Sequence, residues 1–192
     1  MIKVEVNPGI YSTEYESIDD CVTKTFYHKQ PNDVAEKFVL IAGDTYILIP
    51  KCATRSLLAI GEKIDKPSGK VYAFIRNSVD RVLSAKQYIK SWSKIPLEQF
   101  VEELEDSNFS ELDVHLRSQV DLINQMVGDN TIVTKIKFED INKHFDSKNI
   151  FLPRRNESSK KHNSIDSIIK QRILSLYIKD YEAYNKETLD KF

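Results

Sequence analysis

The chain has 192 residues, a formal charge of -1 and a pI near 6.4, with 41% hydrophobic, 30% charged and 10% aromatic residues. This is ordinary globular composition; it excludes a disordered or fibrous chain and gives no overall positive field to hold a nucleic acid backbone, so an anion site must be local. Two cysteines, Cys21 and Cys52, are too few for a disulfide framework and lack zinc-site spacing. No run of about 18 apolar residues and no amino-terminal apolar leader occurs. The expectation is a soluble, cytoplasmic single domain over 1–192 with no membrane or nucleic acid partner and no metal. Nothing in the pattern specifies an oligomeric state.

Residues 1–36 hold turn chemistry at Asn7-Pro8-Gly9 and Pro31-Asn32-Asp33 between segments of weak periodicity and are left unassigned. The patterned core is placed at 37–192. Phe38 to Ala42 and Tyr46 to Ile49 are two short apolar runs around Gly43-Asp44. Leu57, Leu58, Ile60 and Ile64 predict a helix from Ser56 to Ile64, opened by a hydroxyl residue. Val71 to Ile75 reads as a buried parallel strand, followed by a helix carrying Val79, Val82, Leu83 and Ile89 on one face. Pro96 stands near the start of a helix with Leu97, Phe100, Val101 and Leu104. Segment 115–127 fits a helix or a strand, and Thr131 to Ile136 fits a strand. Ile165, Ile169, Ile173, Leu176, Tyr177 and Tyr181 predict one long closing helix. Strands alternating with helices argue for an α/β fold with a parallel sheet.

Two stretches carry chemistry. The first, Tyr46-Ile47-Leu48-Ile49-Pro50-Lys51-Cys52-Ala53-Thr54-Arg55-Ser56-Leu57, runs from an apolar strand through a loop with a Lys and hydroxyls into a helix, which is the makeup of an anion site. It is not a Walker loop, since the spaced glycines are absent. The second, Phe74-Ile75-Arg76-Asn77-Ser78-Val79-Asp80-Arg81-Val82-Leu83-Ser84, again leaves a strand for a helix with an Arg at the strand end.

Together they resemble the two phosphate-binding motifs of the sulfotransferases that use 3′-phosphoadenosine 5′-phosphosulfate (PAPS). Pro50, Lys51, Thr54 and Ser56 match the 5′-phosphosulfate loop, with Ala53 where Gly is common and Arg55 where a hydroxyl residue is common. Arg76, Arg81 and Ser84 match the 3′-phosphate motif, with Asn77-Ser78 in place of Asp-Pro. Asp113-Val114-His115-Leu116-Arg117-Ser118-Gln119 resembles a segment of the carbohydrate sulfotransferases, as do Glu139-Asp140, the Asn156-Glu157-Ser158 loop, and Tyr177 with Asp180-Tyr181.

The resemblance implies a P-loop-like three-layer fold with a central parallel sheet flanked by helices. It also implies transfer of a sulfuryl group from PAPS to a hydroxyl acceptor, preferably a carbohydrate. Within a nucleotide-binding and catalytic core at 37–192, the backbone amides of Cys52, Ala53, Thr54, Arg55 and Ser56, with the Thr54 and Ser56 hydroxyls, would hold the 5′-phosphate. Lys51 would stabilise the leaving oxygen, Arg76 and Ser84 would hold the 3′-phosphate, and Arg154, Arg155, Asn156 and Ser158 would close over the nucleotide. His115 is the first candidate general base and Glu62 the second. The alternatives are a non-catalytic nucleotide-binding protein on the same scaffold and a P-loop-like small-molecule kinase.

Overall fold

A computed structural model describes residues 2–7, 11–15, 36–108, 112–128, 130–153 and 165–189. Strands β1 (Ile2–Asn7) and β2 (Tyr11–Tyr15) pair antiparallel. The five-stranded sheet comprises β3 (Phe38–Ile41), β4 (Asp44–Ile47), β5 (Glu62–Ile64), β6 (Val71–Ile75) and β7 (Val133–Lys137), in the spatial order β5-β3-β4-β6-β7. Pairs β4/β6 and β6/β7 are parallel, whereas β3 runs antiparallel to both β4 and β5. The fold is therefore mixed α/β, and the expected parallel sheet is confined to three strands. The reason is local. Ala42 and Gly43, both at positive φ (50° and 84°), form a two-residue turn that sends β4 straight back along β3.

The helices are α1 (Thr54–Leu58), α2 (Ser78–Tyr88), α3 (Lys90–Ser93), α4 (Leu97–Glu105), α5 (Gln119–Val127), α6 (Ile141–Asp146), α7 (Ser167–Leu176) and α8 (Ile178–Leu189). Two departures from the sequence expectation matter. The helix expected to reach Ile64 stops at Leu58, because Gly61 crosses β3 so closely that a Cβ there would lie 2.2 Å from the Val39 side chain, and residues 62–64 then pair with β3. The ambiguous segment resolves as α5, with Ser118 accepting from the Asp121 amide at its start.

The single closing helix is in fact two. They break at Tyr177, whose backbone leaves the helical region and whose hydroxyl donates to the Leu116 carbonyl from a buried position. One apolar core lies on the sheet and includes Leu57, Leu122, Ile123 and Phe145; a second, built from helices and the turns beside them, surrounds Trp92, Phe100, Leu104 and Ile173. Among the described residues no helix is long and apolar enough to cross a membrane.

Buried Asp180, near the start of α8, ties these parts together. Its Oδ1 accepts from Ser118 Oγ (2.8 Å) and the Val120 amide (3.0 Å), and its Oδ2 from the Gln119 amide (2.8 Å). A carboxylate at this place meets the unpaired amides of the first turn of α5 and the positive end of its dipole. Replacing it with Asn turns an acceptor pair into one acceptor and one misplaced donor. Asp180→Asn should cost about 3 kcal/mol of stability, read as a lower urea midpoint at unchanged slope. An unchanged midpoint would show that the network does not bear on stability.

Candidate functional site

Lys51 and Arg76 both stand just beyond the carboxyl ends of the parallel strands β4 and β6, the edge where open α/β sheets take ligands. The turn leading into α1 is unusual. Lys51 (φ 68°) and Ala53 (φ 64°) are both left-handed, a conformation that costs a residue with a Cβ about 1–2 kcal/mol. The Cys52 amide donates to the Ile49 carbonyl and the Ser56 amide to Ala53, so two of the amides expected to face a phosphate are spent on the turn itself. Thr54 Oγ1 donates to the Ile49 carbonyl (2.8 Å), which makes this hydroxyl a brace for the turn. Among the described residues, the amides of Ala53, Thr54 and Arg55 are not used by any of the turn's internal bonds.

Four cations converge on this turn. Arg76 donates to the Lys51 carbonyl (3.4 Å) and lies 5.1 Å from the Phe138 ring centre. Arg81 is buried and fully engaged, donating to the carbonyls of Pro50, Arg117 and Val114. It thus joins the Lys51 turn to the loop that carries His115, and its role is to position both. Arg55 is exposed and donates to the Tyr88 hydroxyl (3.1 Å). Among the described residues none of these four cations is paired with a carboxylate. Burial, with Arg76 and Arg55 adding repulsion, lowers the Lys51 ammonium from its ordinary value to about 8.

His115 reaches the same cluster. Its Nδ1 lies 2.8 Å from Asp113 Oδ1, and its ring stacks on Tyr88, with centres 5.4 Å apart. The Lys51 Nζ stands 4.1 Å from the centre of that same Tyr88 ring. An ionised carboxylate only accepts, so Nδ1 is the donor toward Asp113, and the neutral imidazole keeps its lone pair on Nε2. An imidazole and an ammonium therefore share one aromatic ring.

Gln119 locks the floor of the site. Its Oε1 accepts from the Arg76 amide (2.9 Å) and from the Cys52 thiol (3.2 Å), and its Nε2 donates to the Arg76 carbonyl (2.9 Å). Burial pushes the Cys52 thiol up to about 11, so it stays protonated as a donor. Asn77, in place of the motif's Asp, caps α2 by accepting from the amides of Val79 and Asp80.

The residues singled out from sequence fall into three groups. Lys51, Cys52, Ala53, Thr54, Arg55, Ser56, Arg76 and His115 are gathered by the Lys51 turn, the end of β6 and the stack on Tyr88, while half-buried Ser84 lies one helical turn before Tyr88 on α2. Glu62 is not brought in. It is exposed on edge strand β5, opposite Leu40, which in turn faces Thr45 and then Val71, so it sits at the starting end of the parallel strands, away from Lys51 and Arg76. Its expected role rested on a helix that ends before it. Arg154, Arg155, Asn156 and Ser158 lie outside the described residues.

Tyr88, Asp113, Gln119 and Asp180 were not assigned roles from sequence, although the last three sit inside quoted motif segments. Among the described residues no group of His, Cys, Asp or Glu is arranged to hold a metal ion. No protein-family model, curated protein or solved structure matches the chain.

The strain at Ala53 is directly testable. Ala53→Gly should raise stability by about 1 kcal/mol, since Gly adopts the left-handed conformation without the Cβ penalty. A urea midpoint that does not rise would mean that the turn is not strained at this residue.

Proposed function

We propose that this protein is a nucleotide-dependent group-transfer enzyme of the P-loop-like three-layer class. Within that class, we read it as a sulfotransferase that moves a sulfuryl group from PAPS to a hydroxyl acceptor, preferably a carbohydrate. The observation that carries the reading is the cluster of Lys51, Arg55 and Arg76, without carboxylate partners among the described residues, at the carboxyl ends of β4 and β6, with the His115–Asp113 pair stacked into it.

The donor set fits a polyanionic nucleotide: an amine and two guanidinium groups. When bound, PAPS supplies a sulfuryl group activated by its link to the 5′-phosphate. Lys51 and the Ala53, Thr54 and Arg55 amides would hold that phosphate, and Lys51 would stabilise the charge gathering on the departing oxygen. Arg76 and Ser84 would hold the 3′-phosphate. His115 Nε2 would take the acceptor's hydroxyl proton while Nδ1–H stays on Asp113. Carbohydrate is preferred because the Asp113 to Gln119 segment resembles that branch of the family.

Calorimetry with 3′,5′-adenosine bisphosphate, the desulfated product, tests this. Binding should exceed that of 5′-AMP, and Lys51→Ala and Arg76→Ala should each weaken it roughly ten- to a hundredfold, the worth of one charged hydrogen bond. Absence of binding, or binding indifferent to the 3′-phosphate and to both residues, would overturn the reading.

The pH dependence has a definite sign. The anion favours charged Lys51, so affinity should be full below about pH 8 and fall as pH rises through that value. Binding at pH 8 should then take up protons, seen as different heats in HEPES and Tris. Equal heats in the two buffers would show that Lys51 is not the titrating ligand.

A further inference from the structure

We propose that Tyr88 is the positioning residue of this site, holding the Lys51 ammonium and the His115 imidazole on one ring and Arg55 on its hydroxyl. The inference takes Lys51 and His115 as the working groups of the sulfotransferase reading. Tyr88 closes α2, four residues after Ser84 and seven after Arg81, so α2 presents all three in one row. Its ring belongs to neither apolar core, and the residue is 37% exposed. A tyrosine that serves packing buries its ring among aliphatic side chains; this one is surrounded by polar and charged groups.

The groups that face Lys51 explain why a ring is needed there. Arg55 comes from α1, Arg76 from the end of β6 and Arg81 from α2, and all three repel an ammonium; the Cys52 thiol is protonated. With no carboxylate paired to Lys51 among the described residues, the negative face of Tyr88, 4.1 Å from Nζ, is the attraction that keeps the charged amine in place. A carboxylate would do this more strongly, but it would neutralise the charge that a phosphate has to meet. The aromatic face holds the cation without cancelling it. The offset stack with His115 (29° between planes) sets the base against the same ring, so Lys51 and Nε2 are placed relative to each other by one side chain.

The test is the pH dependence of Lys51 acylation, followed by mass spectrometry in wild type, Tyr88→Phe and Tyr88→Met. Met keeps an apolar cover and loses the ring, so its Lys51 should show about fivefold more neutral amine at any pH below the midpoint. Phe, which keeps the ring, should stay close to wild type. A midpoint that is unchanged or raised in the Met variant overturns the proposal, since the ring would then be irrelevant or a mere shield. The wild-type protein gives a check that needs no variant: ring shielding should move the Lys51 ε-methylene protons upfield, and an ordinary shift overturns the proposal. Binding of 3′,5′-adenosine bisphosphate to the same proteins separates the two readings. The expected labelling without nucleotide binding keeps Tyr88 as the cation holder and sinks the sulfotransferase reading. Nucleotide binding with labelling indifferent to Tyr88 sinks only this inference.

Discussion

The site depends on one buried contact, the seating of Asp180 on the first turn of α5. That carboxylate fixes where Gln119 begins its helix, and Gln119 then holds the Arg76 peptide through both ends of its amide and the Cys52 thiol through its oxygen. Two loops that follow different strands thereby acquire one common reference point. In the low dielectric of the interior each of these bonds is stronger than at the surface, and each would be costly to leave unmade. Arg81 repeats the device above it, tying Pro50 to the 114–117 segment through carbonyls. The Lys51 turn and the segment that carries His115 are thus placed by three buried polar side chains, Asp180, Gln119 and Arg81.

The cations around Lys51 are satisfied differently from several others in the molecule. Arg172 pairs with Glu105 and Lys148 with Asp44, although Lys86, like the cations of the site, is met by carbonyl oxygens. Around Lys51 the guanidinium groups are met by carbonyl oxygens, a phenol and aromatic faces. With Lys and Arg numbering 28 against 29 Asp and Glu, carboxylates are not scarce in this sequence. Leaving these cations without them in a half-buried place costs stability, and that cost is understandable where a ligand brings the missing negative charge.

Much of this was legible in the sequence, and the failures have physical causes. The two strand–loop–helix units around Lys51 and Arg76 were readable because each couples an apolar run to a break in hydrophobic period at a charged residue. The end of α1 was not, since Ile60 and Ile64 keep helical spacing while lying in a turn and a strand; only the close approach at Gly61 betrays the change, and that is a tertiary fact. Glu62 was misplaced by the same error. The break at Tyr177 was hidden because the apolar spacing runs through it; the buried hydroxyl and Asp180 three residues later impose it. Tyr88 left no signal at all. A tyrosine ending an amphipathic helix is unremarkable until Lys51 and His115 arrive on it from distant parts of the chain.

The left-handed residues of the Lys51 turn fit the same logic. Strain of this kind survives only where surrounding contacts over-determine the conformation. Here Thr54 and the Cys52 amide both bind the Ile49 carbonyl, Arg81 holds Pro50, and Gln119 holds the Cys52 thiol. A glycine at position 53 would relieve the strain but would also widen the range of turns open to the unfolded chain. With four separate anchors the turn does not need that freedom, and they hold Ala53 in one shape. Under the proposed nucleotide-binding reading, a site held in this way would spend little of its binding energy on ordering itself, and more would be left to discriminate among ligands.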